Sequence, residues 1–162
     1  MKAASTQCAF LMSQYDRLLA GLDDRHRAFA PWPGAKTAGW LVGHLAVTGD
    51  FTRRLCRLPP LAPKEWRVLF SPGTTPSTDA GTYPPMAQLV ESIRTIYAEL
   101  AEHANSATPE KLAEPNPLER ARAVYPTGGE FAVYLLSGHL GYHLGQLSQW
   151  RAAAASTFPD LR

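Results

Sequence analysis

The feature that most constrains this chain is a set of four apolar patterns with helical spacing, each bounded by proline or glycine breaks. The first runs from about Ser5 to Leu22, where Phe10, Leu11, Leu18 and Leu19 recur at helical steps. The Pro31-Trp32-Pro33-Gly34 cluster then breaks the chain. The second spans about Thr37 to Arg57, with Trp40, His44, Val47, Phe51 and Leu55 on one face, and ends before Pro59-Pro60. The third starts near Pro84-Pro85 and reaches about Asn105 through Leu89, Ile93, Ile96, Tyr97 and Leu100. The fourth spans about Gly129 to Ala155. Its start is marked by Thr127-Gly128-Gly129-Glu130, a capping box in which the threonine and the glutamate each satisfy a free amide. Phe131, Leu135, His139, His143 and Trp150 line one of its faces. No segment alternates as a strand would. Four long amphipathic helices predict an all-α four-helix bundle, and the chain of 162 residues is expected to form one domain over 1–162.

Between the second and third helices lies a long proline-rich connection, Leu58 to Tyr83, holding Pro59, Pro60, Pro63, Pro72 and Pro76. Connections of this length are uncommon in compact domains unless they serve a function. Within it, Lys64 to Phe70 has the composition of a short helix. The segment reads either as a surface covering or as a lid over a pocket.

Composition excludes several classes. A formal charge of +2 with scattered Lys and Arg gives no basis for nucleic-acid binding. No stretch approaches about 18 uninterrupted apolar residues, so no membrane span is expected. The N-terminus carries no secretion pattern, and a cytoplasmic protein is expected. The two cysteines, Cys8 and Cys56, are then expected to be free and semi-buried rather than paired.

The chemistry concentrates in histidine. His139 and His143 are four residues apart on one helix, so both rings point the same way, about 6 Å apart along the axis. Two such rings can grip one metal ion. Leu140 stands where the glutamate of a zinc-protease H-E-x-x-H would be, which argues against peptide hydrolysis. A third ring, His44, belongs to the second helix. Gly43, Gly138, Gly141 and Gly145 sit beside these histidines, and each mid-helix glycine costs about 1 kcal/mol relative to alanine. Close approach of a neighbouring backbone is the expected compensation. His26 and His103 read as surface residues.

Gln146 follows His143 by three residues and either orients a ligand or bonds to a bound water, or packs between helices. Tyr142 is adjacent but on another side of the helix. Trp40, one turn before His44, either walls a pocket or fills the core. Asp50 lies about 120° off the face of His44, and Glu130 is explained by capping, so the sequence offers no dedicated general base.

Gly43-His44-Leu45 in the second helix, with His139-x-x-x-His143-x-Gly145-Gln146-Leu147 in the fourth, resembles the DinB/YfiT-like superfamily. The resemblance spans nearly the whole chain in helix order, and its Tyr142-His143-x-Gly145-Gln146-Leu147 part is the specific portion. It implies a four-helix bundle with a three-histidine metal site, with His44, His139 and His143 as the ligands. Members of that superfamily bind zinc, nickel, iron or manganese, and some have no known metal. Zinc or nickel is the first expectation here. Characterised relatives are thiol transferases and isomerases using bacillithiol, mycothiol or glutathione; others are classed as metal-dependent hydrolases, and many are homodimers. The resemblance therefore implies a small-molecule substrate, a low-molecular-weight thiol and a homodimer. Three neutral imidazoles leave open positions on an ion, which can acidify a bound water or a bound thiol. The alternatives are a non-catalytic metal- or ligand-binding bundle, as in a stress-response protein, and a structural bundle.

Overall fold

The computed structural model describes residues 1–162. It is entirely helical; the single extended pairing is a bridge between Pro115 and Thr127. Three helices of equal length, α1 (Lys2–Leu19), α2 (Ala38–Leu55) and α4 (Met86–His103), pack with a fourth run over 128–154. That run consists of α6 (Gly128–Tyr134), a π turn (Leu135–His139) and α7 (Leu140–Ala154). Two short helices, α3 (Trp66–Phe70) and α5 (Pro109–Ala113), lie in the connections. Helix α2 lies against α4 and α3, α1 against α4, and both α1 and α2 against the 128–154 run.

Local chemistry sets the helix starts. Thr37 caps α2 by accepting from the Trp40 amide at 3.3 Å. The Thr127–Glu130 capping box forms as the sequence predicts, with the threonine hydroxyl accepting from the Glu130 amide and the Glu130 carboxylate accepting from the Thr127 amide. Helix α4 begins directly after Pro84-Pro85. On α1 the buried stripe is Ala4, Cys8, Leu11, Tyr15 and Leu19, at steps of three and four. Phe10, assigned to the apolar face from sequence, is 62% exposed, because it lies one step off that stripe.

The proline-rich connection is held down. Trp66 and Phe70 of α3 are buried against α2, and the start of the segment is anchored by Asp50, whose Oδ1 accepts from the amides of Leu61 and Ala62. It reads as a packed covering rather than a free flap.

Two expectations need correction. His26 is not a surface residue but fully buried: the chain after α1 folds back so that its Nδ1 accepts from the Asp23 amide at 3.0 Å and its ring meets Phe158 edge-on. Cys8 and Cys56 are free, but both are fully rather than half buried. His103 is exposed at the end of α4, as expected. No helix is long and apolar enough to cross a membrane.

Candidate metal centre

Helix α2 delivers His44 from the interior. A Cβ on Gly43 would sit 2.5 Å from three atoms of the Phe70 ring, so only glycine lets Phe70 seat there. Seated so, Phe70 turns its carbonyl oxygen to His44 Nδ1 at 2.7 Å. An oxygen without a proton can only accept, so His44 carries its proton on Nδ1 and presents a bare lone pair at Nε2. The Trp40 ring stacks on the His44 ring, with centroids 4.7 Å apart and 6° between planes. Trp40 is itself held by an Nε1 hydrogen bond to Thr74 Oγ1 at 2.9 Å. Trp40 thus fills the core and walls the site at once.

The 128–154 run delivers the other two rings. The π turn Leu135–His139 inserts one extra residue into the helical repeat. It shifts the register of α7 against α6 by about 100°, which swings α7 relative to the face carried by Phe131. Apolar periodicity cannot reveal such a turn, because a step of four fits both geometries. His143 Nδ1 lies 2.8 Å from Gln146 Oε1, and Gln146 Nε2 donates to the Tyr142 hydroxyl at 3.0 Å. The amide oxygen accepts, so His143 too is protonated on Nδ1 and bare at Nε2.

The three Nε2 atoms converge. His139 Nε2 stands 3.3 Å from that of His44 and 3.2 Å from that of His143. With one proton on each neutral ring, two lone pairs face His139 from two sides. Its Nδ1 is buried without a hydrogen-bond partner. If His139 carries its proton on Nε2, one hydrogen serves two acceptors. If it carries it on Nδ1, three lone pairs meet at one point, an arrangement that a cation stabilises. The donor set therefore fits a metal ion, and the cluster of His44, His139 and His143 has the spacing to hold one.

Electrostatics favour the neutral, ligating form. Burial pushes all three imidazoles below their ordinary range, His139 to about 3 and His143 to about 4. The neighbouring rings push His139 and His143 further the same way, and Lys36 does so for His44 and His143; the hydrogen bonds that His44 donates to the Phe70 carbonyl and His143 donates to Gln146 oppose the shift.

Two supports were not visible in the sequence. The Tyr97 hydroxyl donates to the Leu45 carbonyl at 3.1 Å, and the Tyr15 hydroxyl donates to the Leu140 carbonyl at 2.8 Å. Each buried tyrosine thus pins the backbone one residue after a histidine of the cluster. The only sequence sign was a tyrosine on an otherwise apolar helical stripe.

A sequence model of the DinB superfamily matches residues 11–147. The chain belongs to the DinB superfamily. No curated protein matches it. In this DinB-superfamily chain, the glycine expectation divides. Gly43 does serve close approach, though to a side chain rather than a backbone. Gly141 and Gly145 meet nothing within 4 Å, and Gly138 meets only Tyr134 of its own helix. Those three do not bring helices together.

Beside the cluster opens a cavity of about 520 Å³ that has His44 and His139 in its lining, while Val47, Phe51, Leu118 and Phe131 form apolar walls. No aspartate, glutamate or cysteine lines it. Asp50 is spent on the amides of Leu61 and Ala62, and Glu130 on its cap.

Proposed function

We propose that this DinB-superfamily protein is a metal-dependent enzyme that joins a low-molecular-weight thiol to a small electrophile, with His44, His139 and His143 holding one divalent ion, zinc or nickel. The observation that carries this reading is the convergence of three Nε2 atoms beside a cavity that His44 and His139 help to line. An ion held there supplies Lewis acidity to groups entering from the cavity.

The chain's own residues do the rest. Phe70's carbonyl and Gln146's amide oxygen fix the tautomers of His44 and His143, so that both present lone pairs to the same point. Tyr134 lines the cavity, and burial raises its pKa, so its phenol stays protonated and can donate a hydrogen bond to a bound molecule. Val47, Phe51, Leu118 and Phe131 give a bound molecule an apolar surface to lie against.

The nucleophile must come from outside. Cys8 and Cys56 do not line the cavity, and burial pushes their thiols up to about 12 and about 11, so both stay protonated. With no carboxylate base lining the cavity, the nucleophile would lose its proton on binding the ion, as either a thiol or a water can. The resemblance to thiol-using members of the superfamily favours transfer over hydrolysis.

Metal analysis of the purified protein tests the site. The expected result is one ion per chain, lost in His44→Ala; one ion per chain retained in that variant sinks the three-histidine reading. Thiol consumption in the presence of monochlorobimane tests the chemistry, with turnover abolished by chelation and restored by added metal. A metal-loaded protein that turns over none of bacillithiol, mycothiol or glutathione would leave a metal-binding bundle without this catalysis.

A further inference from the structure

The cavity beside the histidines is lopsided in charge. Three guanidinium groups line it, from Arg54, Arg67 and Arg120, and no carboxylate does. Arg67 is partly neutralised by Asp50, with Nη2 3.7 Å from Oδ2. Arg54 and Arg120 are exposed at the cavity's edge and have no acidic partner at ion-pair distance, although Arg25 and Arg57, also exposed, do. Arg54 instead lies over the Phe51 ring, 5.1 Å from its centroid, so a cation borders one of the apolar walls.

From this layout we infer that the cavity takes an amphipathic organic carboxylate, with its apolar body against Val47, Phe51 and Phe131 and its carboxylate on Arg54 and Arg120. The inference names the substrate class of the proposed site and so rests on that reading. The physical reasons are these. An apolar wall binds any apolar body and discriminates weakly. Unpaired guanidiniums discriminate more, because their fork of donors matches a planar oxyanion. Burial and the neighbouring charge of Arg67 lower the pKa of Arg54, and Asp50 offsets this only in part. The histidines sit in the same lining, so a carboxylate anchored by the arginines presents the remainder of its molecule to the cluster.

The test uses a pair of fluorescent probes with related bodies, the anion 8-anilinonaphthalene-1-sulfonate and the uncharged N-phenyl-1-naphthylamine. The anion is expected to bind more tightly, and 4-phenylbutyrate to displace it where 4-phenylbutanol does not. The Arg54→Ala/Arg120→Ala double variant is expected to weaken the anion about tenfold or more, the loss of a charge-assisted hydrogen bond, and to leave the neutral probe nearly unchanged. Equal binding of the two probes overturns the inference. So does a double variant that binds the anion as the parent does, or one that loses both probes equally. Circular dichroism shows that the variant is folded, and its metal content is expected to match the parent's. His44→Ala separates the two readings: anion discrimination that persists in it supports the oxyanion site whatever its metal content, whereas discrimination that vanishes there with the fold intact overturns an arginine-based site.

Discussion

Helix α2 and helix α7 both carry histidines of the cluster, yet they are opposite in construction. Nearly every residue of α2 is buried, and the helix is packed on α3, α4 and the 128–154 run. Helix α7 buries only Leu140, His143, Leu147, Trp150 and Ala154, while Tyr142 on its outer side is 63% exposed. His44 is therefore oriented by a backbone carbonyl that packing fixes, whereas His143 is oriented by two side chains on its own helix, Gln146 and Tyr142. The same residue type means different things in the two places: glycine in α2 is room for a neighbour, and glycine in α7 faces open space. The centre thus has one rigid side and one adjustable side, and each experiment below presses on one of them.

Acid is expected to disturb the centre most, because it acts on both sides together. In the metal-free protein His139 and His143 hold pKa values of about 3 and about 4, against an ordinary imidazole value near 6.5. Between those limits the unfolded chain binds protons that the folded chain refuses. Stability therefore rises with pH across the window of about 4 to 6.5, is complete above it and is lost as pH falls. Metal binding follows the same direction, since protons compete for the same nitrogens. Urea unfolding of the metal-free protein at several pH values measures the slope. His139→Phe is expected to flatten it, and an unchanged slope in that variant would mean that the cluster is not its source.

Next in size is Gly43→Ala, on the rigid side. The added Cβ meets the Phe70 ring at 2.5 Å, and both Phe70 and nearly all of α2 are buried. An overpacked core of this kind loses about 1–3 kcal/mol. Displacing Phe70 also removes the carbonyl that holds His44, so metal affinity should fall along with the denaturation midpoint. Full stability and full metal affinity in this variant would show that the α2 side is not rigid.

Gln146→Leu presses on the adjustable side. It removes the acceptor that fixes the His143 tautomer, and outer-shell losses of this kind cost about 10–100-fold in metal affinity. Because Gln146 is partly exposed and makes its contacts within its own helix, global stability should barely change. Competition with a chelating dye measures the affinity. A variant that binds metal as tightly as the parent would reduce Gln146 to a packing residue.

What was legible in the sequence follows from the range over which each signal acts. The Thr127–Glu130 cap and the stop at Pro59 are local, and both stand where the residues place them. The juxtaposition of His44 with His139 and His143 came from motif resemblance, and the structure brings the three rings together. Long-range and backbone features were not legible. The π turn leaves apolar spacing almost unaltered. Phe70's carbonyl carries no side-chain signature. The burial of His26 depends on where Phe158 returns, far along the chain. The glycines misled for a related reason: a glycine written beside a histidine reads the same whether a neighbour approaches it or nothing does.

The smallest effect separates those two meanings most cleanly. Gly141 has a helical backbone with no positive φ, and a Cβ built on it has no atom within 4 Å. Alanine at this position adds no clash and removes the conformational freedom that glycine gives the unfolded chain. Gly141→Ala is therefore expected to stabilise the protein by about 0.5–1 kcal/mol, where the same substitution at Gly43 destabilises it. Thermal unfolding of the two variants side by side gives the sign of each. Loss of stability at position 141 would mean that something covers the open face of α7 in solution, and the contrast between the two helices would then lie in what each packs against rather than in whether it is packed.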